Sequence, residues 1–286
     1  MIDISSIKHP LIVAARQLNK AAMRKEHFLI QGLNELTWAL DAQIDVAHIF
    51  IASSAELDTV SSIINNQMIP VYHCSDGIMK KINDSKYLTP VIAVGKIPTQ
   101  AHPPSGVFSL LLENIQDQGN LGTIIRTALA LGINQIITTE KSCDIYNKKT
   151  ITASRGTAFR IHNQSYQGGQ QAISSLKKLG YQIIATSPTG DTLQSLSSIP
   201  NKPTVLIVGN ETCGVSEELL QSADITVQIP MTNEVESLNV GVAAGISMYE
   251  LKLKVLIAML SKNIRQTLGR ELGVAHSLAR EVFNKE

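Results

Sequence analysis

Apolar positions along this chain gather into short dense runs, and the runs alternate with longer amphipathic stretches. "HFLIQG" (27–32), "VAHIFIAS" (46–53), "IPVYHC" (69–74) and "VIAVGK" (91–96) have strand length and are rich in β-branched and aromatic residues. Between them "LNELTWALDA" (33–42) and "SAELDTVSSIINNQ" (54–67) show helical three-to-four spacing, as does the opening stretch "LIVAARQLNKAAMRKE" (11–26). Beyond residue 107 the alternation becomes steady. "VFSLLLENI" predicts a strand buried on both faces, "NLGTIIRTALALG" a helix closed by Gly132, and "INQIITTE" the next strand. "YNKKTITASRGT" and "GGQQAISSLKKLG" predict helices, the second ended by Gly180. Strands "YQIIATS" and "PTVLIVGN" follow, then helix "SEELLQSA" and strand "DITVQIP". A last helix, rich in small residues, begins near Ser237 and continues into the tail with a break near Gly269 or Gly273.

The repeated strand–helix order predicts an α/β fold, a parallel sheet with helices on both faces, preceded by a smaller α/β unit. "IPTQAHPPSG", Ile97 to Gly106, carries three prolines and no periodicity, which makes it the linker. The expected division is 1–96, a linker at 97–106, and 107–286 with a helical extension at its end.

Composition narrows the function classes. The chain has 286 residues, 44% of them hydrophobic and 17% charged, the balance of a globular protein with a substantial core. No apolar run approaches the ~20 residues of a membrane span, and "MIDISSIKHPLIV" lacks the basic-then-apolar pattern of a signal peptide, so none is expected. A cytoplasmic protein with no membrane partner is expected. Cys74, Cys143 and Cys213 are far apart, and the seven histidines have no ligand spacing, so no metal is expected. The net charge of +1 conceals an asymmetry: residues 1–30 hold five basic and two acidic side chains, and 251–286 hold seven and three. Residues 101–250 hold nine and twelve. Basic ends around an acidic middle suit a polyanion gripped from its flanks, although local excesses of this size are also ordinary.

Ligands of such sheets collect beyond the carboxyl ends of strands. Three strand ends carry polar groups there, the first two with glycines as well: "ENIQDQGNLGTIIR", "VGNETCGVS" and "IPMTNEVESLN". Neither a GxxxxGK[ST] phosphate loop nor a GxGxxG after a strand is present, which disfavours a dinucleotide enzyme. Together the three loops resemble the three motifs of the SpoU (TrmH-like) branch of the SPOUT RNA methyltransferases. Asn114, Asn120, Gly122 and Arg126 match the first motif, and Gly209, Glu211 and Gly214 the second. Ile229, Pro230, Met231, Ser237, Leu238, Asn239 and Ala243 match the third. "RKEHFLIQGLNEL" resembles the small ribosomal-protein-L30-like substrate-binding domain of the members that modify ribosomal RNA. Gln118 stands where the family usually has proline, Asn233 where it often has glycine, and Gln31 where it has glutamate.

The resemblance implies a C-terminal domain with a trefoil knot that binds S-adenosylmethionine and works as a homodimer. It implies methylation of a ribose 2′-hydroxyl in RNA, chiefly ribosomal RNA. Transfer RNA, or a non-catalytic RNA-binding homologue in ribosome assembly, are the alternatives. It places catalysis on Arg126, with Asn120, Glu211, Ser237 and Asn239 around it. Cofactor contacts fall at Gly209, Gly214, Ile229, Met231 and Leu238. An arginine resists deprotonation, so Arg126 is expected to clamp a phosphate and polarise the hydroxyl while another group takes the proton. Ser237 has a second reading, as the cap of the last helix. For RNA the candidates are Arg16, Arg24 and Lys25 in the first domain and Lys149 and Arg155 in the second; a plain charged helix face fits the last two as well.

Overall fold

A computed structural model of the chain describes residues 2–64, 67–98, 108–193, 202–232 and 234–254. Two sheets are formed. The first contains β1 (Ile2–Ile4), β2 (His27–Gln31), β3 (Val46–Ile51), β4 (Val71–Cys74) and β5 (Val91–Lys96), in the spatial order β1-β4-β3-β5-β2. Its helices are α1 (Pro10–Gln17), α2 (Leu33–Asp41), α3 (Ser54–Ile64) and α4 (Asp76–Ile82). β1, β4 and β3 are parallel, and β5 runs against both β3 and β2.

The second sheet contains β6 (Phe108–Leu112), β7 (Gln135–Thr139), β8 (His162–Tyr166), β9 (Gln182–Thr192), β10 (Thr204–Val208) and β11 (Ile225–Gln228). The order is β11-β9-β10-β6-β7-β8, with every pairing parallel. Its helices are α5 (Gln118–Ala130), α6 (Lys148–Ala153), α7 (Gly169–Lys178), α8 (Glu217–Ser222) and α9 at 240–254. Successive strand residues point to opposite faces. Leu110, Leu112, Ile136, Ile184, Leu206 and Val208 therefore pack in one core with Leu121, Ile124, Ile125 and Ala128 of α5 and Ala244 and Met248 of α9. Their neighbours Leu111, Ile137, Ile183, Val205 and Ile207 pack in another with Ile173 and Leu176 of α7 and Leu219 of α8. Both faces are covered, which is why these strands read as unbroken apolar runs.

The two sheets share one of these cores. Phe28, Ile30, Leu36, Ile49 and Val91 of the first half belong to the cluster that holds α5 and α9. Phe28 packs on Tyr146 and Phe159, with ring centroids 4.7 Å and 5.7 Å apart. Trp38 lies so close to Gly156 that a Cβ there would sit 2.4 Å from the indole's own Cβ. Only glycine fits that contact, and its φ of 76° suits glycine as well. Ile97, read as the first residue of the linker, instead prolongs the pairing of β5 by donating its N–H to the carbonyl of Glu26 at 2.7 Å. Residues 99–107 lie outside the described residues, as do Asn233 and the tail from 255.

Three elements went unread in the sequence: β1, α4 and β8. β8 is an edge strand of polar residues, "HNQSY", without apolar alternation. The helix expected over 11–26 stops at Gln17. Asn19 there donates its amide to the carbonyl of Ile82 at 2.7 Å, and Arg24 donates to the carbonyl of Leu18 at 2.8 Å, so tertiary bonds hold the chain out of helix. The last helix begins at Val240 and not at Ser237, because its cap is Asn239.

Candidate active site

β6 and β10 are neighbours, and β6 is where the chain order reverses: α5 carries it to β7 on one side, while β10 lies on the other. The loops leaving their carboxyl ends run side by side at the switch point, where open α/β sheets bind ligands. The loop after β11 starts three strands away from β6, yet it reaches α5, where the Asn239 amide donates to Oδ1 of Asn120 at 3.0 Å. It therefore crosses the ends of β9 and β10.

Glu211 ties the second loop to the first, and Asn120 carries the tie on to the third. One carboxylate oxygen accepts the N–H of Asp117 and the amide of Asn120, both at 3.3 Å. The other accepts the N–H of Gln116 at 3.4 Å and the amide of Asn210 at 3.3 Å. Asn210 also donates to the carbonyl of Asn114 at 2.9 Å, and its own oxygen accepts the N–H groups of Thr212 (2.9 Å) and Cys213 (3.2 Å). Asn239 Oδ1 accepts from Gly241 N at 2.9 Å and Val242 N at 3.3 Å, which caps α9. The polar chain Asn239–Asn120–Glu211 thus ties all three motifs.

Asp117 caps α5, its Oδ1 accepting from Asn120 N at 2.8 Å, while its Oδ2 pairs with Lys149 at 3.1 Å. The hydrogen bond from the Asn120 backbone, helped by Lys149, holds the Asp117 carboxyl below the usual carboxylate range. Burial pushes the Cys143 thiol, behind the first loop, up to about 11, which favours its protonated form.

Gly209, expected as a cofactor contact, and Gly122 of the first motif both have close neighbours within the fold. A Cβ on Gly209 would sit 2.1 Å from the backbone of Gly214 and Val215, because Asn210 and Gly214 exchange two backbone hydrogen bonds across the loop. A Cβ on Gly122 would meet Ala153 Cβ at 2.6 Å, where α5 and α6 cross. Gly241 and Gly245 let α9 pack on Thr123 and Thr127 of α5, so the small-residue ladder serves contact within one chain. Lys252 closes the far end of that contact on the carbonyl of Leu131.

Arg126 is exposed and makes no ion pair among the described residues. It lines a cleft of about 330 Å³ with Thr123, Thr127, Ala130, Leu131 and Ala153. Six residues beyond Asn120 on α5, it stands about 9 Å along the axis and outside the Glu211 network. Ser237 and Met231 are exposed, and Ile229 and Leu238 half-buried, on the loop between β11 and α9. Of the basic candidates, Arg16, Lys25 and Arg155 are exposed. Arg24 is not available to RNA. Its side chain is 7% exposed and pairs with Asp144 at 2.6 Å, across the junction of the two halves. Asp117 and Asn210 were not picked out from the sequence as site residues. Their signals were the acid just before a helix and the asparagine of a tight turn.

Among the described residues no group of His, Cys, Asp or Glu is placed to hold a metal, and no helix is long and apolar enough to cross a membrane. Residues 107–249 match the SpoU rRNA Methylase family. An uncharacterised tRNA/rRNA methyltransferase of Synechocystis is 32% identical over 257 residues, 87% of this chain and 93% of that protein. The 23S rRNA (guanosine(2553)-2′-O)-methyltransferase RlmP of Bacillus subtilis is 28% identical over 260 residues, 88% of this chain and all of the relative. The crystal structure of an AdoMet-bound rRNA methyltransferase from Sinorhizobium meliloti superposes with a TM-score of 0.72 at 26% identity, covering 87% of this chain and 96% of that one. With its three motif loops drawn together around Glu211, this chain belongs to the SpoU rRNA methylase family.

Proposed function

We propose that the protein methylates a ribose 2′-hydroxyl of ribosomal RNA, with S-adenosylmethionine as methyl donor. The observation that carries this reading is the Asn239–Asn120–Glu211 chain, which gathers three strand-end loops at the sheet's switch point. The residues present fit that donor. Residues 229–232 and 234–238 make no main-chain hydrogen bond to the main chain of another described residue, which suits a loop whose backbone serves a ligand. Gly209, Ile229, Met231 and Leu238 border that space, with Gly214 shaping its second wall. When bound, the donor supplies an electrophilic methyl group on a sulfonium.

What remains for the protein is positioning and proton handling. Arg126, fixed on α5 and without an ion-pair partner among the described residues, clamps the phosphate beside the target ribose and polarises the hydroxyl through its planar fork. A phosphate oxygen or a water then accepts the proton. Asn120 and Asn239 hold the two walls in register, Glu211 sets the loop shape, and Ser237 faces the substrate. Residues 1–96 bind RNA, using Arg16 and Lys25, and Lys149 and Arg155 continue that surface.

The working unit is a homodimer whose C-terminal domain is knotted, with the 229–239 crossing as the threaded loop. Val242, Ile246, Tyr249 and Leu253 of α9 are exposed by 52%, 38%, 54% and 39%. Their spacing of four, three and four residues makes the seam that two helices bury against each other. Val242→Glu should yield a monomer in sedimentation.

Mapping 2′-O-methyl groups in ribosomal RNA from cells with and without the gene tests the main reading. One site should vanish; an unchanged map would refute it. Arg126→Lys keeps the charge but loses the fork, and should cut turnover about a hundredfold or more while donor affinity stays put.

A further inference from the structure

The loop 83–89, between α4 and β5, is tied by its own hydrogen bonds yet presents a large ring to solvent. Tyr87 is 83% exposed. Among the described residues only Tyr249 is a comparably exposed aromatic, and it lies in the α9 seam. Asn83, itself buried, anchors the loop by donating to Thr89 Oγ1 at 2.7 Å. Ser85 N donates to the carbonyl of Lys80 at 3.1 Å, and Tyr87 N donates to Ser85 Oγ at 3.0 Å. The ring is therefore presented by a fixed frame. Lys80, Lys81 and Lys86 are exposed around it, with Asp84 the one acid in the turn. The bond from Asn19 to Ile82 brings the loop containing exposed Lys20 alongside.

The same Asn83 connects this loop to the candidate active site. Its Oδ1 accepts from Lys148 Nζ at 3.4 Å, the next residue Lys149 pairs with Asp117, and Asp117 caps the helix that carries Asn120. A basic track thus runs from Tyr87 to the site, and an aromatic face with cations beside it is what single-stranded RNA uses. Resting on the RNA reading above, we propose that Tyr87 is a stacking platform for one unpaired base of the substrate RNA, with Lys86 and Lys148 holding the adjoining phosphates on the way to Asn120.

The test measures binding of the full chain to two probes, an unstructured oligoadenylate and purified bacterial ribosomal RNA. Tyr87→Ala should weaken both by about fivefold to a hundredfold, while Tyr87→Phe, which keeps the ring, should stay within about twofold of the parent. Lys86→Ala should flatten the dependence of log Kd on log salt by about 0.7 for the single strand. Adenosylmethionine affinity, read by calorimetry, should be the same in all three. Equal RNA affinity for Tyr87→Ala and the parent would overturn the platform, and so would equal losses in the Ala and Phe variants. A Tyr87→Ala variant that altered only sedimentation would show a protein contact and also overturn it. These failures leave the methylation reading standing, since that reading fails on the ribosomal RNA map.

Discussion

Replacing Glu211 by glutamine changes almost no volume, yet it should disable the junction of the three loops. All four groups that approach the carboxylate are donors, two to each oxygen. Glutamine keeps one oxygen and turns the other into an NH₂ that faces two N–H groups. Neither orientation avoids the clash. Turning the Asn210 amide to compensate would place its NH₂ against the N–H groups of Thr212 and Cys213. Turning Asn120 would oppose it to the amide of Asn239. The four bonds are 3.3–3.4 Å long and partly solvated, so each belongs at the weak end of the ordinary range, about 0.5–1 kcal/mol. Losing two and leaving donors opposed comes to about 2 kcal/mol, a fall in Tm of about 5 °C for a chain this size. Thermal unfolding gives the first number, and calorimetry with adenosylmethionine should show at least tenfold weaker binding, because the loops that border the donor lose register. A Glu211→Gln protein that melted and bound like the parent would refute the claim that this carboxylate organises the site.

Arg155 holds a left-handed φ of 50° at the end of α6, where glycine is the usual residue. Arg155→Gly should raise stability by about 0.5–1 kcal/mol in denaturant melts while weakening RNA binding severalfold, since the strain is tolerated only if the side chain has work to do. Arg24→Ala should cost about 2–3 kcal/mol, discounted because Asp144 is 25% exposed, and should be read as a lower denaturation midpoint. The depressed Asp117 carboxyl fixes a sign for acid behaviour. Its ion pair and cap support the fold fully at neutral pH. That support declines below the ordinary carboxylate value of about 4 and is gone once pH passes below the lowered native value. Asp117→Asn, which keeps a cap but not the charge, should flatten that acid limb in melts taken as a function of pH.

The strands and helices of the second sheet were legible because both faces are buried and helix ends carry glycine. Gly132 and Gly180 sit at φ of 73° and 81° just past α5 and α7. The polar edge strand β8 and the seven-residue α4 were not legible, since neither has a period long enough to register against its surroundings. In the candidate site, the three motif loops named from the sequence are the ones that the Asn239–Asn120–Glu211 chain connects, while single residues have contacts that the sequence did not show. Gly209 read as a cofactor contact, and the sequence could not show that the backbone of Gly214 and Val215 also stands against it. Ser237 looked like the cap, a part taken by Asn239 two residues later. Arg24 looked like a free cation, and only tertiary structure could supply Asp144, 120 residues away. Local pattern carries no information about such distant partners.

Because Phe28 is wedged between Tyr146 and Phe159 and Trp38 sits against Gly156, the front half of this molecule cannot swing freely relative to the back half. Under the proposed function, a front half held at constant separation from Arg126 works as a ruler: the nucleotide modified would be the one whose distance from the recognised feature, measured through folded RNA, equals that span.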